Sequence, residues 1–120
     1  MSGGEVKAMV PEDVTRLVVE LLNRGDAAGV APLYERDAVF AYPADRPTRG
    51  REAIHAIYQH MVDAGVKFSS ETPLPIVVFG DLALTSTWSA DNKGVRVQVL
   101  RRQPDGSWLR IIDRPEVPPA

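Results

Sequence analysis

Residues 82–113 carry the sequence that decides the fold, LALTSTWSADNKGVRVQVLRRQPDGSWLRIID. Runs rich in Val, Leu, Ile, Thr and Trp are separated there by two short polar stretches, DNKG and PDGS. Both stretches consist of residues that favour tight turns, so they predict hairpins between neighbouring strands. We therefore expect antiparallel strands at 82–90, 95–102 and 108–113.

The chain before residue 82 extends this sheet. Residues 67–79 predict an extended segment, but Pro73 and Pro75 lack the N–H group that a central strand donates. That segment is therefore expected at a sheet edge or a bulge. An earlier run at 37–42, rich in Val and aromatic residues and stopped by Pro43, predicts one more strand.

Three helices are predicted before residue 66. The first begins at Pro11 and ends at Gly25, which favours a left-handed cap. The second is short, is capped by Asp26 and runs to about residue 34, and the third spans 51–64. Apolar stripes mark the two longer helices, formed by Val14, Leu17, Val18, Leu21 and Leu22 in the first and by Ile54, Ile57, Tyr58 and Met61 in the third.

Helices followed by hairpin strands predict an α+β domain whose helices cover one face of an antiparallel sheet. A length of 120 residues, with 44% hydrophobic and 25% charged residues, is typical of a single globular domain. We assign residues 1–10 to a flexible N-terminus, 11–114 to this domain and 115–120 to a Pro-rich tail.

Composition excludes several classes of function. A formal net charge of −2 argues against a nucleic-acid or anionic-membrane partner. The absence of cysteine excludes disulfides, thiolate catalysis and cysteine-ligated metals. The N-terminus lacks the pattern of a secretory signal, and no apolar run approaches the ~20 residues of a membrane span. A cytoplasmic location is therefore expected.

Five short stretches resemble, in order, those of the nuclear transport factor 2-like superfamily, with its SnoaL-like polyketide cyclases and ketosteroid isomerase-like proteins. They are LNRGD at 22–26, LYERDAVF at 33–40, RGREAI at 49–54, GDLA at 80–83 and DGSW at 105–108. The resemblance covers about residues 12–114. It implies a cone-shaped, cystatin-like fold with three helices on a curved sheet. It also implies a pocket for a small apolar molecule, on which the protein would act without a cofactor.

We expect that pocket to be lined by Val18, Tyr42, Tyr58, Thr85, Thr87, Gln98 and Asp113. Thr85 and Thr87 are included because they lie on the strand face opposite Trp88. In the ketosteroid isomerases, alignment places the carboxylate base at Tyr42, a tyrosine at Val18 and the protonated acid at Gln98. All three catalytic groups are replaced here. Steroid isomerisation by that machinery is therefore not expected.

Tyr42 and Gln98 each allow two interpretations. The Tyr42 phenol, a catalytic candidate, either binds a ligand carbonyl or acts as a weak acid at the mouth of the cone, or it fills the core with its hydroxyl at the rim. The resemblance turns Gln98 into the pocket, whereas its alternation with Val97 and Val99 would turn the valines toward the core.

Asp113 is the remaining candidate for a general base, in register with Leu109 and Ile111 on a row that alignment turns toward the helices. The alternative is a structural ion pair with Arg114, Arg110 or Arg96. A metal site is not expected, because His55 and His60 lie five residues apart and off the apolar stripe of their helix.

Two functions from different classes follow. The first is a small-molecule-binding protein, with an isomerase, cyclase or dehydratase activity as its enzymatic form. The second is a non-catalytic association or scaffold domain. Apolar residues on both faces of the last strands predict a homodimer through the open face of the sheet, with Trp88 and Ile112 in the contact.

Overall fold

The helices come first along the chain and the hairpin strands last, as the sequence predicts. The structure is a computed structural model that describes residues 7–89 and 93–115. Over these residues the helices are α1 (Glu12–Asn23), α2 (Ala27–Val30), which continues into a 3₁₀ turn at Ala31–Leu33, and α3 (Arg51–Asp63). The strands are β1 (Tyr34–Phe40), β2 (Thr48–Arg49), β3 (Val77–Phe79), β4 (Leu82–Trp88), β5 (Val95–Arg102) and β6 (Trp108–Arg114).

The strands form one sheet in the order β2-β1-β6-β5-β4-β3. Neighbouring strands run antiparallel except β1 and β6, which pair in parallel. The helices pack on one face of this sheet, and we call the space between the helices and the sheet the cone. The predicted α+β architecture is confirmed.

Local chemistry explains how the helices begin and end. Pro11 occupies the N-cap of α1, and Glu12 and Asp13 follow in the first turn, where the helix dipole favours acids. Gly25 has φ +80°, the left-handed conformation that the sequence predicts for this cap. The Asp26 carboxylate accepts a hydrogen bond of 2.8 Å from the N–H of Gly29 and so caps α2.

Two strands differ from their predicted bounds by three residues or more, one because of its partner strand and one because of its prolines. β1 begins at Tyr34, three residues before the predicted start at residue 37, since Tyr34 pairs with Arg110 of β6. Of the predicted extended segment 67–79, only the last three residues form a strand. Upstream of them, Pro73 makes an isolated bridge to Thr87, as expected for prolines that interrupt an edge strand.

A β-bulge in β6 determines which side chains enter the cone. Leu100 lies opposite Arg110 and Val99 lies opposite Ile112, so Ile111 is an extra residue. Arg110 and Asp113 consequently share the buried face, whereas Leu109 and Ile111 are only half-buried. The expectation that Asp113 shares a row with Leu109 and Ile111 is wrong, because it assumed an unbroken alternation.

The Gln98 row of β5, and not the valine row, faces the helices. Gln98 and Leu100 are buried, while Val95, Val97 and Val99 are half-buried on the outer face. Gln98 therefore faces the helices, which is the orientation that the resemblance implies. The outer face of the sheet carries the valines.

The described part of the predicted N-terminal segment packs against the domain. Ala8 lies in the core, and its carbonyl accepts a hydrogen bond of 2.8 Å from the N–H of Trp108. The packed domain therefore begins before residue 11. Residues 1–6 and 116–120 of the predicted termini lie outside the described residues. None of the helices formed by residues 7–89 and 93–115 is long and apolar enough to span a membrane.

Candidate functional site

Five buried polar side chains meet inside the cone, and we call them the cone cluster: Tyr34, Tyr58, Gln98, Arg110 and Asp113. They come from four elements, β1, α3, β5 and β6. The parallel pairing of β1 with β6 places Tyr34 beside Arg110, and α3 brings Tyr58 over both. A connected polar network of this kind is unusual in the core of a small domain.

Asp113 is the centre of the cluster and is 1% exposed. Its Oδ2 accepts hydrogen bonds from the Tyr34 hydroxyl at 2.5 Å and from Arg110 Nη1 at 3.2 Å. Its Oδ1 accepts a longer one, 3.3 Å, from Gln98 Nε2. The ion pair proposed as an alternative for Asp113 is therefore present, with Arg110 as the partner.

The two tyrosine hydroxyls of the cluster donate in a fixed order. The single hydroxyl proton of Tyr34 is donated to Asp113, so Tyr58, 2.8 Å away, must donate to the Tyr34 oxygen. Arg110 Nη1 donates to the same oxygen at 2.9 Å. Burial raises the pKa of Tyr34 and of Tyr58 above the ordinary phenol value, and the negative charge of Asp113 raises both further. Both phenols are therefore protonated donors at neutral pH.

Arg110 neutralises the buried carboxylate. It is 4% exposed, and its Nη2 donates to Thr15 Oγ1 of α1 at 3.0 Å. Burial opposes its charge, but the interactions with Tyr34 and Asp113 prevail and raise the pKa of Arg110. Its Nε is buried without a hydrogen-bond partner among the residues that the structure describes.

The polar contacts continue onto β4, and a second polar group lies further along the same face of the sheet. Thr85 Oγ1 donates to Gln98 Oε1 at 2.9 Å, which extends the cluster to β4. On the next rung, Thr87 Oγ1 and Arg96 Nε donate to Glu71 Oε1 at 3.1 and 2.9 Å. Glu71 precedes the bridge at Pro73 and adds a carboxylate to this side of the cone.

The residues predicted to line the pocket divide into two groups. Hydrogen bonds connect Tyr58, Thr85, Gln98 and Asp113 into one network through Tyr34. Val18 is buried in the apolar core, and Thr87 belongs to the Glu71 rung. Tyr42 lies beyond the end of β1, half-buried, with its ring 6.1 Å from that of Phe40.

Sequence reasoning missed Tyr34 and Glu71, and it named Arg110 only as one of three alternative ion-pair partners of Asp113. The alternation of Trp108 with Arg110 before the bulge was the available signal for Arg110, since both face inward. Tyr34 could be found only through its pairing with β6, which joins residues far apart in the chain.

The histidines lie apart from the cluster. His55 is half-buried and His60 is exposed on α3. Within residues 7–89 and 93–115, no group of three or more His, Cys, Asp or Glu side chains is placed to hold a metal ion.

The outer face of the sheet exposes large apolar side chains. Trp88 is 39% and Ile112 is 49% exposed, and Phe79 on the edge strand reaches 82%. Leu82 and Leu84 of β4 are exposed on the same face, beside the half-buried valines of β5. The two residues predicted for a dimer contact thus lie on one apolar surface.

Comparisons with known proteins identify the family. The family model for SnoaL-like domains matches residues 14–114. Among curated proteins, no sequence matches this chain.

Solved structures agree on the fold. A candidate calcium/calmodulin-dependent protein kinase type II association domain from Thiobacillus denitrificans superposes with a TM-score of 0.70 at 17% identity, over 96% of this chain and 100% of that one. A candidate ketosteroid isomerase from Shewanella frigidimarina gives 0.67 at 19%, over 85% and 90%. A candidate dehydratase of the nuclear transport factor 2-like family from Streptomyces avermitilis gives 0.64 at 19%, over 88% and 92%. At these identities the similarity establishes the fold alone.

Proposed function

This chain belongs to the family of SnoaL-like domains, and we propose that it binds a small apolar molecule in the cone and transfers protons to and from it without a cofactor. The observation that carries the proposal is the buried cone cluster, with its carboxylate, guanidinium, two phenols and amide. Burying an ion pair in a core costs more free energy than packing apolar residues of equal volume there. Such groups are often retained for chemistry.

Asp113 is the proton-transfer group in this proposal. Its Oδ2 is held by Tyr34 and Arg110, whereas among the described residues its Oδ1 has only the long contact to Gln98. Oδ1 is therefore the oxygen that a substrate proton reaches if the Gln98 amide turns aside. That amide can then donate to a ligand carbonyl, while Tyr58 and Tyr34 supply protonated hydroxyls along the path to Oδ2.

The reaction class is proton transfer next to a carbonyl, the step shared by isomerases, cyclases and dehydratases. Two of the similar structures are described as a candidate ketosteroid isomerase and a candidate dehydratase, in line with this class. A general base typically increases the rate of such a step by about 10²–10⁴-fold.

The test uses 2-tetralone, an apolar bicyclic ketone, in D₂O, with loss of the protons next to its carbonyl followed by NMR. We expect the protein to accelerate the exchange above buffer and Asp113→Asn to reduce that acceleration by about 10²-fold or more. Asp105→Asn removes a carboxylate outside the cone and should leave the rate unchanged. Absence of any acceleration by the wild-type protein, or equal rates for the two variants, would contradict the proposal.

A second candidate function is association, which the apolar outer face favours. Its exposed residues lie on β3, β4 and β6, with the half-buried valines of β5 between β4 and β6, while soluble monomers rarely expose an apolar patch above roughly 300–600 Å². We propose a second copy of this chain as the occupant, because a two-fold contact covers the same patch on both copies. One similar structure is described as a candidate association domain, and its whole length aligns with this chain.

Sedimentation measures the association directly. We expect a dimer for the wild-type protein and a monomer for the double variant Trp88→Asp, Ile112→Lys. The matched control is Val66→Asp with Val10→Lys, two exposed valines outside the sheet, which should leave the dimer intact. A wild-type protein that sediments as a monomer at tens of micromolar would refute the proposal.

A further inference from the structure

A cleft of about 310 Å³ lies outside the cone cluster. It is bounded by the β5–β6 turn, the 3₁₀ turn, the start of α3 and residue 7. Its lining consists of Lys7, Pro32, Leu33, Arg51, Gln103, Pro104, Asp105, Ser107 and Leu109. At the ~30 Å³ that a water molecule takes in the liquid, this space equals roughly ten waters, enough for a small organic molecule. None of the cone-cluster residues lines it, so it is a separate site.

Arg51 brings a positive charge to this cleft without a direct ion pair among the described residues. Its Nε and Nη2 donate to the Tyr34 carbonyl at 2.9 and 2.8 Å, a neutral acceptor. Within residues 7–89 and 93–115, Arg51 makes no ion pair. The other charges of the lining balance one another, since Lys7 Nζ lies 2.6 Å from Asp105 Oδ2. Glu35, the acid next to Tyr34, pairs directly with Arg101 at 2.9 Å, and Arg51 interacts with Glu35 only at longer range.

We propose that this cleft binds a small organic carboxylate. Hydrogen bonds to the Tyr34 carbonyl occupy one edge of the Arg51 guanidinium and fix its plane. The other edge, formed by Nη1 and the second hydrogen of Nη2, makes no hydrogen bond within the part of the chain that the structure describes. Its two parallel N–H donors have the geometry that matches a carboxylate. A half-buried cation held in this way loses little side-chain freedom on binding.

The remaining lining selects an acid with an apolar body. Pro32, Leu33, Pro104 and Leu109 supply the apolar walls on which a ring or a short aliphatic chain can pack. Ser107 is buried, and its hydroxyl is already donated to Asp105 at 2.6 Å. Arg51 therefore recognises the negative charge of the ligand, and the two prolines and two leucines limit the size of the ligand.

The probe is benzoate, which combines a carboxylate with an apolar ring, and the readout is the set of amide shifts in a ¹⁵N-correlated NMR titration. We expect saturable shifts concentrated on Leu33, Ser107 and Leu109. Benzyl alcohol has a similar ring and no charge, and it should bind at least fivefold more weakly. Arg51→Gln should abolish this preference, while Arg24→Gln, an exposed arginine at the end of α1, makes the same charge change and should retain it.

A second variant guards against loss of structure in Arg51→Gln, since that change removes two hydrogen bonds to β1. Gln103→Glu places a negative charge in the lining and leaves Arg51 in place, and it should weaken benzoate at least fivefold. Three outcomes would overturn the proposal: no saturable shifts up to 50 mM benzoate, equal affinity for benzyl alcohol, or benzoate binding that Gln103→Glu leaves unchanged. None of these readouts depends on chemistry at Asp113.

Discussion

Arg110→Met tests whether the buried ion pair of the cone cluster holds the fold as the geometry indicates. The substitution keeps a side chain of similar length but leaves the Asp113 carboxylate, 1% exposed, without its cation. It also removes the donors to Tyr34 and Thr15. Removing one partner of a buried pair costs about 3–5 kcal/mol, because an uncompensated charge stays in the core. For a domain of this size, that loss lowers Tm by on the order of 10–20 °C.

The assay is urea unfolding followed by tryptophan fluorescence, with Trp108 buried in the native core. Arg102→Met is the matched control, since Arg102 pairs with Asp81 at 2.6 Å while both side chains are exposed, and exposed pairs contribute about 0–1 kcal/mol. The double variant Arg110→Met, Asp113→Leu should recover stability to within about 1–2 kcal/mol of wild type, since it removes both charges. Equal losses for Arg110→Met and Arg102→Met would refute the reasoning.

Two further predictions concern the helix cap and the buried phenols. Gly25→Val should destabilise the protein by about 1–2 kcal/mol, because a β-branched residue is strained at φ +80°, and an unchanged Tm would contradict this. Tyr34 and Tyr58 have folded-state pKa values above that of an unfolded tyrosine, so the stability linked to their protons is present below about pH 10 and is lost as the pH rises beyond it. Tyr58→Phe should therefore flatten the fall of Tm above pH 10, and an identical alkaline profile for variant and wild type would argue against this linkage.

The helices and hairpins could be predicted from local patterns. The bounds of β5 agree with the prediction from the turn residues on either side, and α3 ends one residue before its predicted end. These elements are set by residues near in sequence, through turn chemistry and helical spacing. Turn chemistry and helical spacing can each be recognised from a short stretch of sequence.

The cone cluster could be predicted only in part, for two physical reasons. Tyr34 joins the cluster through a parallel pairing between residues 76 positions apart, as its contact with Arg110 shows, and no local pattern records such a pairing. The orientation of Gln98 was ambiguous because both faces of β5 are well occupied, one by valines and one by Gln98 and Leu100. The resemblance to a family turned Gln98 inward and strict alternation turned it outward, and the burial of Gln98 in the structure decides between them.

The bulge in β6 has a consequence for changes in chain length. Because Ile111 is one residue more than the pairing with β5 requires, β6 can lose that residue and keep Arg110 facing the cone, Ile112 facing outward and Asp113 facing inward. β5 pairs with β4 without any such extra residue. A one-residue deletion there would exchange the Gln98 row with the valine row on one side of the gap. We therefore expect a change in chain length to be tolerated better at the bulge of β6 than in β5. The number of residues in each strand, as well as their type, determines which side chains face the cone.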